Sequence, residues 1–446
     1  MSVNLAPGQW RIGAGQQETV PWVDSGNMAL LIQGSFGGHV GDYRATITSN
    51  PANITAISLA PGSMGNVLWT NTYQPAPGNN TRWLAGWDPE AGIFVFQDKE
   101  TFEHWGYSLT NGKLVWGPSI IPDDYTADYN FFNTEMSMVA YGKVYFTGYS
   151  GILYTYDVKD GELLWTYGNG GEGNSTSSGL DSPWGNYPQF FSTIADGKVF
   201  LCTTEHSPNS PLYKNAMYRA INATDGTEIW KLMQYAPDMY GGPGPTASGY
   251  LVFYSGYDQQ LYCIGKGPIA TTVTAPNVAS PLGTTVVING AVMDISAGTS
   301  QNEQAARFPN GVPAVSDASQ QDWMQYVYMQ KPRPDSVTGV EVTLSVIDSN
   351  NNNREIGKTM ADSNGFFTLN WKPDIEGNYT VYASFEGSES YWPSHAVTSF
   401  AVDPAVIVPE IPQVVVPDYT WTIVGMGIAM ILAVAIATIL ILRKRQ

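Results

Sequence analysis

The side chains best suited to metal ligation or nucleophilic work are four histidines and two cysteines, in a chain of 446 residues. His39, His104, His206 and His395 lie too far apart in sequence to set a ligand pair. Cys202 and Cys263 form no CxxC, so spacing builds neither a zinc nor an iron–sulfur site. The thiols read as two buried side chains, with a disulfide between neighbouring elements as the alternative. Candidate carboxylates for base or calcium chemistry are Asp98, Glu103, Asp157, Glu205 and Asp258. None falls in a calcium-loop spacing, and Asp157, between Tyr156 and Val158, reads as a turn residue. The stretch "GSFGGHVGDY" around His39 lacks both the Lys-Ser/Thr ending and the GxGxxG order of phosphate loops. It reads as a flexible loop.

Binding chemistry is better represented. Three aromatic, irregular stretches, "DDYTADYNFFNTEM", "GLDSPWGNYPQFFSTI" and "QYAPDMYGGPGPTAS", each precede a strand-like run. Tyr129, Trp184, Tyr187 and Tyr240 lie in them, and His206 sits with Glu205 in the insertion "TTEHSPNSPLYKN". These five side chains are the candidate lining of a sugar- or peptide-binding face. Packing and loop anchoring compete with that reading.

The elements that must position these loops repeat along the chain. "TNGKLVW", "KDGELLW" and "TDGTEIW" end at Trp116, Trp165 and Trp230, and a degenerate copy, "SMGNVLW", ends at Trp69. In each, a glycine precedes the tryptophan by four residues: Gly65, Gly112, Gly161 and Gly226. Asn-Gly and Asp-Gly supply the positive φ of tight hairpin turns. A second landmark, an apolar strand after a turn glycine, recurs at Gly92, Gly142, Gly197 and Gly249. These glycines are 50, 55 and 52 residues apart. A unit of about 50 residues with three or four short strands predicts propeller blades, stacked because one blade cannot bury both its faces. The tryptophan of each unit is expected in the gap between neighbouring blades.

Composition agrees with an all-β chain. Charged residues are 13%, aromatic residues 13%, and glycine and proline are abundant, which suits short strands and tight turns. The net charge of −18 argues against a nucleic-acid partner, whose phosphates need a basic face.

"YDVKDGELLWTY" resembles the repeat of the pyrroloquinoline-quinone (PQQ)-like, or quinoprotein alcohol dehydrogenase-like, β-propellers. The resemblance covers roughly residues 27–268 and implies a fold shared by enzymes and non-enzymes. The enzymes of the family pair a calcium ion with an aspartate base, and many carry a disulfide between adjacent cysteines. This chain has no adjacent cysteines, so no catalytic residue, metal or cofactor is assigned. Four or five blades are countable, the last incomplete, and residues 1–26 are a candidate to complete it. No signal-peptide pattern opens the chain. Either the start is truncated or the chain is tail-anchored with its bulk in the cytoplasm; the basic tail favours a chain lacking its natural N-terminal part.

Residues 269–403 read as a second β unit. Alternating strands such as "VEVTLSVID" and "GNYTVYASFEG" predict a sandwich, and "ADSNGFFTLNWKPDIEGNYTVYASFEG" resembles the immunoglobulin (Ig)-like domains of archaeal and bacterial cell surfaces. An insertion at 296–338 contains "SDASQQDWMQYVYMQKP", a short helix with a Ser316 or Asp317 cap and one apolar stripe. Packing on the sandwich is expected, with docking on the propeller or another protein as the alternative.

Four prolines in 404–420 predict a stiff stalk. Residues 421–442 carry no charge and are long enough for a ~30 Å hydrocarbon layer. The basic tail, 443–446, favours the cytoplasmic side. Sequons at Asn53, Asn79, Asn174, Asn222 and Asn378 are candidate glycosylation sites on an exported chain. The expectation is a single-pass membrane protein with its bulk outside and a non-catalytic propeller head for protein or glycan binding, or for envelope scaffolding. The alternatives are a membrane-anchored PQQ-dependent oxidoreductase and an accessory scaffold of a membrane complex.

Overall fold

The computed structural model describes residues 10–11, 17–34, 46–47, 51–78, 80–119, 137–148, 151–168, 189–203, 216–235, 244–406 and 415–445. The fold is all-β: a run of propeller blades, then a sandwich, with one long apolar helix at the C-terminal end.

The blades follow one another as antiparallel sheets. The first holds β1 (Trp10–Arg11), β2 (Gln17–Asp24), β3 (Met28–Gly34), β5 (Ala52–Ser58) and β6 (Val67–Tyr73); β4 (Thr46–Ile47) lies between β3 and β5 in sequence but pairs with the second sheet. Residues 17–24 thus pair with β3 in the first blade. Blade 2 is β7 (Arg82–Asp88), β8 (Ile93–Asp98), β9 (His104–Ser108) and β10 (Leu114–Trp116), with β4 at its inner edge. Blade 3 is β11 (Ser137–Ala140), β12 (Lys143–Phe146), β13 (Leu153–Asp157) and β14 (Leu163–Tyr167). Blade 4 is β15 (Phe190–Ala195), β16 (Lys198–Cys202), β17 (Met217–Asn222) and β18 (Glu228–Met233). Blade 5 has three strands, β19 (Thr246–Ala247), β20 (Tyr250–Ser255) and β21 (Gln260–Ile264).

Central strands are apolar on both faces because each face meets another blade; all six residues of β8 are buried. Four apolar clusters fill the four seams between successive blades. The repeat residues work across these seams. The indole N–H of Trp69 donates to the Leu109 carbonyl of blade 2 (2.8 Å), that of Trp116 to Val158 of blade 3 (2.8 Å), and that of Trp165 to Thr224 of blade 4 (3.1 Å). Under each ring lies the turn glycine of the following blade. A Cβ on Gly161 would come within 2.5 Å of Trp116, and one on Gly226 within 2.5 Å of Trp165. Gly112 is likewise closed off by Trp69, whereas Gly65, in the first blade, has open space above it.

The sandwich is built from β22 (Ile269–Thr274), β23 (Ser280–Pro281), β24 (Val286–Asp294), β25 (Val312–Pro313), β26 (Glu341–Ile347), β27 (Asn353–Met360), β28 (Phe366–Trp371), β29 (Gly377–Phe385) and β30 (Ser394–Asp403). One sheet runs β22-β24-β25, with β28 also on β24; the other runs β23-β30-β29-β26-β27. The alternating residues Val342, Leu344, Val346 and Tyr379, Val381, Ala383 supply its core from the second sheet. That is the period-2 signal the sequence carries.

The insertion holds α1 (Asn302–Arg307) and α2 (Asp317–Tyr328). Trp323 and Val327 pack with Val312 and Val315, while Met329, just past the helix, enters the seam of blades 4 and 5. The Lys231 backbone N–H donates to Gln321 Oε1 (2.9 Å), and the Tyr262 hydroxyl to the Tyr328 carbonyl (3.4 Å). The helix therefore meets both the sandwich and the propeller. Among the described residues blade 5 has no fourth strand and offers no glycine turn to Trp230, and the insertion enters that seam instead. The expected cap is corrected: Ser316 makes no side-chain capping bond. Asp317 instead accepts from Ser388 Oγ (2.9 Å) and the Glu389 and Ser390 N–H groups (3.1 and 3.0 Å), fastening the helix to the sandwich.

The C-terminal helix α3 (Thr420–Arg443) has 24 residues, none buried. At 1.5 Å per residue it is about 36 Å long, enough to cross a membrane. Among the described residues it is the one helix of that kind.

Candidate functional site

The densest set of chemistry-bearing side chains in the described residues lies around β8 and β9 in blade 2, divided between the seam with blade 1 and the seam with blade 3. Arg82 and Asp98 sit opposite each other on β7 and β8 and form a buried two-bond fork, Nε to Oδ1 at 2.6 Å and Nη2 to Oδ2 at 2.7 Å. The Trp105 indole N–H adds a bond to Asp98 Oδ2 (3.1 Å), and the guanidinium lies 5.2 Å from the Trp105 ring centroid. Burial opposes the Arg82 charge, but the bonds and charge of Asp98 outweigh it and raise the Arg82 pKa. Such a pair is strong against loss of either partner and contributes little net stability by itself.

His104 is fully buried on the other face of the same sheet, in the seam with blade 3. Its ring lies against Phe146 and Tyr156 of blade 3. The Trp83 indole N–H, which can only donate, fixes Gln97 Oε1 as an acceptor (2.8 Å), and Ser137 Oγ donates to the same oxygen (2.7 Å). With its proton used there, Ser137 Oγ accepts from His104 Nε2 (2.9 Å). His104 Nδ1 is then the acceptor facing Ser119 Oγ (3.3 Å), which also accepts the His104 backbone N–H (3.0 Å). This chain of donors assigns the Nε2–H tautomer. Burial pushes the His104 pKa down to about 3, so the ring is neutral at physiological pH. It ties blade 2 to blade 3 and is closed to proton exchange with solvent.

The other sequence candidates are dispersed. Glu103 accepts from Thr101 Oγ1 (3.0 Å), and Asp157 from the Lys159 N–H (2.7 Å) in its turn. Asp258 accepts from the Gln260 N–H (3.2 Å) and from the Tyr262 hydroxyl. His395 is exposed on β30. Tyr129, Trp184, Tyr187, His206 and Tyr240 lie outside the described residues, as do His39, Glu205, Asn79 and Asn174. Of the remaining sequons, Asn378 and Asn53 are exposed, and half-buried Asn222 accepts from the Thr224 N–H (2.8 Å) within the turn that receives Trp165. The cysteines are free: Cys202 is buried, and Cys263 is exposed, contrary to the reading of two buried thiols. Among the described residues no three His, Cys, Asp or Glu side chains gather as a metal site. The described carboxylates, each engaged separately, do not fit a calcium–quinone centre.

Sequence reasoning missed the fork and the histidine network. Arg82 carries no motif, and the partners of His104 come from three separate stretches of chain. The only local hint is the row of polar residues, Gln97 and Asp98, ending an otherwise apolar strand.

No family model matches the chain, and no curated protein matches it. Solved structures similar to it include BamB from Moraxella catarrhalis, 10% identical over 81% of this chain and 87% of that one, with a TM-score of 0.33. A europium-containing methanol dehydrogenase is 10% identical over 86% and 69%, with a TM-score of 0.31. The CARDB domain of a Pyrococcus furiosus protein in complex with di-metal ions is 13% identical over 31% and 91%, with a TM-score of 0.17. Likeness at this level carries nothing about activity. The propeller reading rests on the succession of sheets and seams.

Proposed function

We propose that this chain is a non-catalytic, membrane-anchored surface protein. Its parts are a propeller head (27–268, with residues 17–24 joined to its first blade), an Ig-like sandwich spacer (269–403), a proline-containing stalk (404–420), a membrane segment (421–442) and a basic cytoplasmic tail (443–446). The head engages a protein or glycan partner, or a component of the cell envelope, through the aromatic loops that precede its first strands. The observation that carries this reading is the commitment of the reactive groups to the seams on either side of blade 2. Asp98 is spent on Arg82, and His104 is held neutral between two serines. A general base needs an accessible lone pair and a pKa near the working pH, and neither group offers both. The exposed apolar helix α3 supports anchoring, and the lysine and arginines after it support a cytoplasmic tail.

The test is short-range cross-linking on intact native membranes, followed by extraction of the full chain and mass spectrometry of its adducts. The expected result is a recurrent protein or glycan adduct on loop residues near Tyr129, Trp184 or Tyr240. Protease added outside should remove the head and leave the tail. Stoichiometric PQQ and calcium in the extracted protein, with alcohol oxidation, would overturn the reading in favour of an oxidoreductase.

A further inference from the structure

The chain leaves the propeller for the sandwich through Gly267, and several elements close around that crossing. The Gly267 N–H donates to the Ser390 carbonyl (2.8 Å), and the Gly267 carbonyl accepts from the Trp392 N–H (2.9 Å), which pairs the linker with the turn 388–392. A Cβ on Gly267 would stand 2.9 Å from Ser296 Oγ and 3.6 Å from the Tyr391 ring. Asp317, at the start of α2, holds the same turn. At the other end of α2 the Tyr328 carbonyl accepts from Tyr262 of blade 5.

One carboxyl is buried at this crossing. Asp294, the last residue of β24, lies opposite Ile269, where the linker enters the sandwich, and is 5% exposed. Its Oδ1 accepts the Ser296 N–H (2.7 Å). The titratable groups that face it are two phenols, Tyr391 from the turn and Tyr328 from α2. The charged side chains of the surrounding elements are engaged or exposed elsewhere. Asp317 is taken up by the turn, Glu303 pairs with Arg307 (3.6 Å), Lys266 lies over the Trp392 ring (5.0 Å), and Asp322 and Glu389 are exposed. Tyr391 is itself fully buried, and neither its hydroxyl nor Gln320 Oε1 beside it makes a hydrogen bond.

We propose that Asp294 is a pH-sensitive lock on the junction of propeller and sandwich, closed while its carboxyl is protonated and opened when it ionises. A carboxylate with one N–H donor and no facing cation is costly to keep out of water. Opening the junction hydrates it, together with the Tyr391 hydroxyl and Gln320. The protonated carboxyl is neutral and brings an O–H donor to a pocket that holds unpaired acceptors. Burial accordingly raises the Asp294 pKa above the ordinary 3.8. Its contribution to the closed junction is fully present below pH 3.8 and is lost as pH rises through the raised value. His104, in blade 2, has the opposite pH dependence, so the lock must be read locally.

The test is hydrogen exchange of the full chain in detergent between pH 4 and 7.5, corrected for the intrinsic rate at each pH and read at the Gly267 and Trp392 amides. Their protection should fall as pH rises, while the Val292 amide in the sandwich core, bonded to the Gly365 carbonyl (2.8 Å), stays protected. Asp294→Asn keeps an acceptor for the Ser296 N–H and cannot ionise, so it should hold the acid-level protection across the range. Tyr391→Phe, which keeps the carboxyl buried, should retain the loss. A level profile in the parent chain overturns the proposal without any variant. So does a loss that persists unchanged in Asp294→Asn or disappears in Tyr391→Phe.

Discussion

Replacing Gly161 by alanine should open one seam of the propeller, and Gly65→Ala supplies the matched control. Both glycines hold the same place in the repeat and both are left-handed, at φ +75 and φ +84. A Cβ in that region costs about 1–2 kcal/mol at either position. At Gly65 nothing lies within 4 Å of the new carbon, so the cost ends there. At Gly161 it would stand 2.5 Å from Trp116 Cε3, and the buried ring must move. Overpacking of that kind costs about 1–3 kcal/mol. Moving the ring also strains the Trp116 Nε1–H bond to the Val158 carbonyl (2.8 Å), and a buried donor left without its acceptor costs about 1–3 kcal/mol more. The expected loss is about 3–8 kcal/mol for Gly161→Ala against about 1–2 for Gly65→Ala. Urea unfolding of the full chain in detergent, followed by tryptophan fluorescence, measures the difference. Hydrogen exchange should place it at residues 152–163. Equal destabilisation by the two substitutions would refute the claim that each glycine serves the tryptophan of the preceding blade.

Further outcomes follow from the buried polar groups and from the insertion. The unfolded chain protonates His104 near its ordinary pKa of 6.5, while the folded chain holds it near 3. Its contribution is therefore fully present above pH 6.5 and is lost as pH falls toward 3, at up to about 1.4 kcal/mol per pH unit. His104→Gln should flatten that slope between pH 6.5 and 4.5 in denaturation midpoints. Asp98→Asn should destabilise the propeller by about 3–5 kcal/mol because it strands a buried guanidinium, and an Arg82→Met/Asp98→Leu pair should recover much of the loss; a double-mutant cycle in urea measures both. Met329→Lys puts a charge into the seam of blades 4 and 5. It should split unfolding into separate propeller and sandwich transitions in calorimetry, where the parent chain unfolds with the two coupled.

The sequence by itself determined the period of the propeller, the alternation of the sandwich strands and the apolar length of α3. Those depend on local rules: turn glycines, side chains alternating across a strand, and the thickness of a bilayer. The four-residue step from glycine to tryptophan was legible as a hairpin and its strand. Tertiary structure decided that Gly161 sits under Trp116 of the previous blade, because the two meet only when separate sheets stack. The same holds for His104, whose pKa falls to about 3 because Ser119, Ser137 and two rings of blade 3 bury it, and for Arg82, whose partner is set by strand register. It holds also for the insertion, whose periodicity announced a helix with an apolar stripe. Periodicity cannot say which surface a stripe will meet, and here Trp323 went to the sandwich while Met329 went to the propeller, where the fifth blade lacks a strand.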